Sequence, residues 1–213
     1  MKYAVCQVSV APLRNEARDS SEMVSQVLFG EKLIILEELE KWTKIQLAFD
    51  DYQGWVDPKQ LLEISKNEYE IEAIDKFAIN PYNHAMENGL PMTLTIGAEI
   101  RSLRESRIHL GEKSFEYFGV YTSGKKSKEQ LVEIAKAFLN VPYLWGGKSS
   151  FGIDCSGLTQ QVYKIGGYKI PRDAYQQAEM GEVLSFVEEA EPGDLAFFDN
   201  ADGRIIHVGI MCG

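Results

Sequence analysis

Between Tyr143 and Gly157 the chain reads Tyr-Leu-Trp-Gly-Gly-Lys-Ser-Ser-Phe-Gly-Ile-Asp-Cys-Ser-Gly, and no other stretch limits the fold as tightly. Gly146, Gly147 and Gly152 mark a loop. Directly after it, Leu158, Val162 and Ile165 recur at helical spacing, so the Asp154-Cys155-Ser156 step falls where loop becomes amphipathic helix. A thiol at that step meets the unpaired N–H groups and positive dipole end of a first helical turn, which draw a cysteine pKa down from about 8.5. A single cysteine is nonetheless more often a small buried hydrophobe than a nucleophile. The role of Cys155 therefore turns on what the rest of the chain brings to it.

With 213 residues, 45% of them hydrophobic, the chain can bury a sizeable core and has room for more than one compact unit. A formal net charge of -10 argues against nucleic acid or an anionic membrane as the main partner, since both select basic patches. Cys6, Cys155 and Cys212 give an odd count without metal-ligand spacing, which suits a reducing compartment better than a disulfide scaffold, and no zinc pattern or cofactor motif is present. The N-terminal Met-Lys-Tyr-Ala-Val-Cys-Gln-Val-Ser-Val alternates like a strand and lacks the apolar core and cleavage site of a secretory signal, so the expected location is cytoplasmic. No apolar run approaches the ~20 residues needed to span a bilayer.

From Tyr3 to Ile64 the signals are short alternating segments, among them Ala4–Val10, Lys32–Leu36 and Thr43–Leu47, separated by turn residues. This predicts a small all-β unit over residues 1–64. Its pieces Leu28-Phe-Gly-Glu31, Glu40-Lys-Trp-Thr-Lys-Ile45 and Tyr52-Gln-Gly-Trp-Val56 resemble the bacterial SH3-like barrel. Trp42 and Trp55 are then core or groove aromatics. Over 65–124, the Glu-rich piece Glu68–Glu72 and an Asn80-Pro-Tyr-Asn83 turn precede Met92–Ile96, Glu99–Leu103 and Phe115–Tyr121, which read as strands of a second, divergent barrel. His84 and His109 have no partner spacing and read as ordinary surface or packing residues.

After a linker at Gly124-Lys-Lys, Ser127 and Gln130 form a capping-box pattern ahead of an apolar stripe of Leu131, Ile134, Ala135, Phe138 and Leu139, so a helix precedes the glycine loop. Beyond the Cys155 helix, Glu191–Phe198 and Ile205–Met211 read as a hairpin, with His207, Gly209 and Met211 on one face and Ile206, Val208 and Ile210 on the other. A helix-start cysteine and a strand-borne histidine are the parts that thiol acyl transfer requires: the imidazole takes the thiol proton and later protonates the leaving amine.

Five motifs occur in order: Tyr143-Leu-Trp-Gly-Gly147, Asp154-Cys-Ser-Gly157, Pro171-Arg-Asp-Ala-Tyr-Gln176, Pro192-Gly-Asp-Leu195 and His207-Val-Gly-Ile210. Together they resemble the NlpC-type cell-wall peptidases, a family of papain-like cysteine hydrolases. The barrels ahead of them resemble those of the subfamily that cuts peptidoglycan stem peptides between D-Glu and the diamino acid. The resemblance implies an α+β catalytic domain over 125–213, helices packed on an antiparallel sheet, preceded by one or two SH3-like β-barrels. It makes Cys155 the nucleophile, His207 the general base and acid, and Tyr143 a polariser of the scissile carbonyl, with the Cys155 backbone N–H as oxyanion donor. Asp154, Ser156 and Asp173 fall at substrate-lining positions, although Asp154 is equally an N-cap and Arg172 a structural ion-pair partner. Glu22 and Tyr52 are the candidates for an acidic residue and a tyrosine through which the first barrel closes the pocket around a free N-terminal L-Ala.

The expected function is that of a cysteine endopeptidase that hydrolyses the γ-D-Glu to diamino-acid bond (diaminopimelate or Lys) of free stem peptides in cell-wall recycling. It takes a muropeptide as partner and no cofactor or metal. The alternative is a non-catalytic muropeptide-binding protein with a defunct cleft. The resemblance also implies a third polar residue that orients the base on a strand after the His207 strand. The chain as given reaches Gly213 without it, so the expectation is a domain lacking its C-terminal strands.

Overall fold

The computed structural model describes residues 1–71, 76–81 and 83–213. Seven antiparallel strands come first: β1 (Lys2–Cys6), β2 (Val10–Arg14), β3 (Met23–Leu28), β4 (Lys32–Glu38), β5 (Thr43–Leu47), β6 (Gln53–Val56) and β7 (Leu61–Ile64), in the sheet order β3-β2-β6-β5-β4-β1-β7. The Gly-Trp-Val strand, β6, lies between β5 and β2 and joins the two halves of the sheet. Alternating inward residues, including Ala4, Cys6, Leu13, Leu33, Ile45 and Val56, form its core. The single strand expected over Ala4–Val10 is in fact two, because the Gln7 side chain donates to the Lys59 and Leu61 carbonyls and the chain turns there.

Ser65 then opens a short helix, α1 (Lys66–Glu70), through a capping box with Glu68. The Glu-rich piece is thus helical as far as Glu70; Glu72 and Tyr82 of the expected turn lie outside the described residues. Strands β8 (Lys76–Ala78), β9 (Asn83–Glu87), β10 (Leu90–Leu94), β11 (Arg107–Leu110), β12 (Lys113–Phe118) and β13 (Tyr121–Ser123) form a four-stranded sheet, β10-β9-β12-β11, and a β13-β8 pair. Glu99–Leu103 does not form the expected strand. Glu99 makes an isolated bridge to Phe77, Arg101 turns back to the Glu99 carboxylate and the Gly30 carbonyl, and Ser102 adopts φ 45°. Ionic contacts override the alternating pattern there.

The last part contains α2 (Lys128–Lys136), a β14 (Lys148–Ser149) and β15 (Gly152–Ile153) ladder, α3 (Cys155–Ile165), α4 (Ala174–Ala178), and the hairpin β16 (Leu195–Asp199) with β17 (Ile205–Ile210). α2 has the expected capping box. It ends at Lys136, one turn early, so Leu139 is 70% exposed and falls outside the apolar stripe.

The hydrophobic cores interlock. Val5 of β1 and Phe29 of the β3–β4 turn pack with Ala85, Leu94 and Phe115, while Phe77 and Ile96 pack with Leu131, Ile134, Val162 and Ile165. Between these cores lies a buried ionic network: Glu31 accepts from Lys148 Nζ at 2.9 Å and Lys164 Nζ at 2.6 Å, and Lys164 also reaches Glu99 at 2.7 Å. Burial alone would raise the Glu31 carboxyl, but Lys148 and Lys164 hold it down at about 2, so it stays ionised. α3 is therefore buried on more than its apolar stripe; Thr159, Gln160, Gln161 and Lys164 are all buried, Gln160 meeting Asp50 and Lys164 meeting Glu31 of the first segment.

Candidate functional site

Cys155 is the first residue of α3, capped by Asp154, whose Oδ1 accepts the Gly157 N–H at 2.7 Å. The loop before it returns to the same carboxylate, with the Gly146 N–H donating to Asp154 Oδ2 at 2.9 Å. Two glycines make this packing possible. A Cβ on Gly157 would lie 2.2 Å from the Gly147 carbonyl oxygen, and one on Gly146, at φ 75°, would lie 2.0 Å from the Met23 carbonyl oxygen of β3. The loop thus sits directly against the first sheet.

Arg172 organises this corner from below. It is 1% exposed and donates from Nη1 to Asp154 Oδ1 at 3.0 Å and Ser156 Oγ at 2.9 Å, from Nη2 to Asp154 Oδ2 at 2.7 Å, and from Nε to Ser25 Oγ at 3.1 Å. The fork fits a carboxylate at two points, a geometry specific to arginine. Asp154 and Ser156 are 8% and 7% exposed, and their oxygens are engaged within the chain, which favours the capping reading of Asp154 over direct ligand contact. Gln177 supports the same turn by accepting from Thr159 Oγ1 at 2.6 Å and donating to the Ser156 carbonyl at 3.1 Å.

The two residues nominated from the first barrel both reach this corner. Trp145 Nε1 donates to Glu22 Oε1 at 2.6 Å, and Tyr52 Oη donates to Asp173 Oδ1 at 3.4 Å. Asp173 is half-buried; burial pushes its carboxyl above the usual range, partly countered by the Arg172 cation and the Tyr52 hydroxyl. The Tyr52 hydroxyl is itself pushed up by burial and then by the Asp173 charge. Tyr143 is 66% exposed, and its hydroxyl is raised by burial and by the neighbouring Cys155 and Asp154. It bridges to Ile153, the residue before the cap.

His207 lies on β17 opposite Phe198 in the hairpin register, with the two rings 5.7 Å apart. Its strand packs against α3 and α4, so cysteine and histidine sit on neighbouring elements. The imidazole is exposed and has no described hydrogen bond, while Val208 points the other way and is 2% exposed. Cys155 is partly exposed, in contrast to Cys6, which is fully buried with its thiol pushed up to about 12, chiefly by burial. His84 and His109 are both exposed, and His84 stacks on Phe118. Among the described residues, no group of three or more His, Cys, Asp or Glu is arranged to hold a metal ion, and no helix is long and apolar enough to cross a membrane.

A helix-borne cysteine beside a histidine hairpin, joined to an SH3-like sheet, defines an α+β fold of the papain-like hydrolase class. The NlpC/P60 family profile matches residues 140–213, and that of the bacterial dipeptidyl-peptidase SH3 domain matches 13–61. The γ-D-glutamyl-L-lysine dipeptidyl-peptidase of Bacillus subtilis is 33% identical over 219 residues, covering 89% of this chain and 69% of that protein. The protein of the same name from Bacillus cereus is 26% identical, covering 92% and 66%. The crystal structure of an NlpC/P60 family protein from Bacillus cereus superposes with a TM-score of 0.83 at 23% identity, over 99% of this chain and 88% of that one, a likeness of fold. The chain belongs to the NlpC/P60 family.

The Glu22 contact with Trp145, and the reach of Arg172 across to Ser25, had no periodic or spacing signal in the sequence. Pro171-Arg172 stood inside a recognisable motif, but nothing local marked its arginine as the centre of five hydrogen bonds.

Proposed function

We propose that the chain is a thiol endopeptidase that hydrolyses the bond between γ-D-Glu and the diamino acid, lysine or diaminopimelate, in peptidoglycan stem peptides bearing a free N-terminal L-Ala. The observation that carries this reading is the meeting of Tyr52 with Asp173 and of Glu22 with Trp145, which joins the first barrel to the cysteine loop and to the turn that follows Arg172. A cationic α-amino group there gains a charge-assisted hydrogen bond, and a bulky acyl group in its place loses it. The names of the Bacillus relatives point to the same bond. The division of the chain near 64 and 124 into two SH3-like units and a peptidase unit belongs to this reading, as does a cytoplasmic recycling role.

In this mechanism His207 takes the Cys155 thiol proton, and the thiolate attacks the γ-carbonyl carbon of D-Glu. The Cys155 backbone N–H and the Tyr143 hydroxyl stabilise the oxyanion. The intermediate collapses with breakage of the C–N bond, and the His207 imidazolium gives its proton to the leaving amine. Water, deprotonated by the same imidazole, then cleaves the thioester and releases L-Ala-D-Glu. The reading assigns no residue of this chain to orienting the imidazole.

Incubation with the tripeptide L-Ala-γ-D-Glu-L-Lys is expected to release L-Ala-D-Glu, detected by mass spectrometry. The same peptide acylated at its N-terminus is expected to resist. Equal turnover of both would overturn the free-terminus assignment.

The raised Asp173 carboxyl sets a pH signature. An ammonium partner requires the ionised form, and that form predominates only above the raised pKa, so KM should fall as pH rises past the ordinary carboxylate range. In Asp173→Asn this dependence should flatten and KM should stay high; an unchanged KM profile would remove Asp173 from substrate binding.

Brief labelling with iodoacetamide at mildly acidic pH separates a catalytic thiol from a bystander. Cys155 should react before the exposed Cys212, and Cys6 should remain unmodified in the folded chain. Faster labelling of Cys212, read by peptide mapping, would favour a binding protein with a defunct cleft.

A further inference from the structure

The glycine loop ahead of Cys155 contains one residue that the proposed mechanism does not use. Tyr143, Trp145 and Phe151 of this stretch are exposed, whereas Lys148, its only basic residue, is buried. A lysine is almost never buried unless it is paired. Both anchors of Lys148 come from the opposite end of the chain: its backbone N–H donates to Gln26 Oε1 at 2.8 Å, and its Nζ donates to Glu31 Oε1 at 2.9 Å. Gln26 and Glu31 are buried as well, and the second Glu31 oxygen accepts the Leu28 N–H at 2.8 Å, which ties the anchor to the end of β3.

Lys148 also belongs to the small backbone unit that carries the reacting groups. It pairs with Ile153 in the β14–β15 ladder. On its other side Ile153 bridges to Tyr143, with the Leu144 N–H donating to the Ile153 carbonyl at 3.1 Å and the Ile153 N–H donating to the Pro142 carbonyl at 3.0 Å. The Asp154 N–H then donates to the Gly147 carbonyl at 3.1 Å. Ile153 is thus the middle of three short pieces, flanked by Tyr143 and Lys148 and followed directly by the cap of the Cys155 helix. A displacement of Lys148 is passed through Ile153 to both Tyr143 and Cys155.

The same anchor reaches the other end of the helix. Lys164, in the last turn of α3, donates from Nζ to Glu31 Oε1 at 2.6 Å. One carboxylate oxygen therefore grips both the loop before Cys155 and the far end of the helix that Cys155 begins. The loop has little room to slide against the sheet, since Gly146 already lies so close to the Met23 carbonyl that a Cβ would not fit.

We propose that Lys148 is a positioning residue for the thiol reaction: tied to Glu31 and Gln26 of the first segment, it fixes through Ile153 the placement of Tyr143 and Cys155 relative to each other. This rests on the peptidase reading of those two residues. Reacting groups must be held to within about 0.5 Å, and a misplacement of about 1 Å costs on the order of 10²-fold in rate. Tyr52 and Asp173, which receive the substrate's amino group in that reading, lie outside the unit that Lys148 holds. The effect of loosening it therefore falls on kcat rather than on KM.

Steady-state hydrolysis of L-Ala-γ-D-Glu-L-Lys by the full chain, read together with amide hydrogen exchange, tests this. Lys148→Met keeps the stem without the ammonium, and kcat is expected to fall about tenfold or more while KM moves less than about threefold. Gln26→Leu removes the acceptor of the Lys148 N–H, leaves the Glu31 pairs in place and should lower kcat in the same direction, so it carries the test if Lys148→Met does not fold. Ile45→Val, in the core of the first sheet, should lose stability and keep the parental kcat. In both Lys148→Met and Gln26→Leu the Leu144 and Asp154 amides should exchange about tenfold faster, with those of Leu47 and Leu131 unchanged. A parental kcat in Lys148→Met, or in Gln26→Leu where only that variant folds, overturns the assignment, as does exchange that quickens equally at all four amides. Absence of turnover in the parent chain overturns the peptidase reading instead, and the exchange pattern then decides alone whether Lys148 holds the loop.

Discussion

Replacing Cys155 with alanine is expected to reduce release of L-Ala-D-Glu from the free stem peptide to background, a loss of roughly 10⁴-fold or more on the scale of removed nucleophiles. The fold should not notice. Asp154, not Cys155, supplies the cap of α3, and alanine is a better helix former than cysteine. The measurement is single-turnover hydrolysis followed by mass spectrometry, with circular dichroism and the thermal midpoint as controls. Persistent turnover in a folded variant would take Cys155 out of the mechanism and leave the exposed Cys212 as the other accessible thiol.

The second large effect concerns stability. Arg172→Leu leaves the Asp154 carboxylate 8% exposed with its guanidinium partner gone, and breaking one side of a buried ion pair costs about 3–5 kcal/mol. Ser25 and Ser156 lose a donor at the same time. Urea denaturation should show the loss as a lower midpoint with an unchanged slope. Arg172→Lys keeps the charge without the fork and should recover only part of it. A change below about 1 kcal/mol in Arg172→Leu would mean that water takes the place of the guanidinium at Asp154.

How much of this was legible follows from how local each signal is. Cys155 and its helix were readable because the cap, the glycines and the apolar stripe all lie within one short stretch. The hairpin carrying His207 was readable because strand alternation flanks a turn-rich segment. Glu22 and Tyr52 could be nominated only through resemblance, since they come within hydrogen-bond distance of Trp145 and Asp173 from positions far away in sequence. Glu99–Leu103 misled because alternation cannot see the Glu99 pairs with Lys164 and Arg101 that pull the chain out of a strand. α3 was understated for the same reason. Periodicity marks where apolar residues recur, whereas the burial of Gln160 and Gln161 depends on a sheet formed by the opposite end of the chain.

That buried polar face of α3 bears on how such a protein is assembled over generations. Toward the earlier segments the helix presents, beside the Val162 and Ile165 side chains that pack with Phe77 and Ile96, an amide that meets Asp50 and an ammonium that meets Glu31. If the last segment were separated from the sheets, the polar groups would take water in place of their partners, while Phe77, Ile96, Val162 and Ile165 would be bared together. A joint of this kind is not freely exchanged by recombination, because either half taken alone exposes part of a shared core. Exchange also demands matching: a replacement sheet must offer a carboxylate where Glu31 now meets Lys148 and Lys164, and no added bulk where Met23 approaches Gly146.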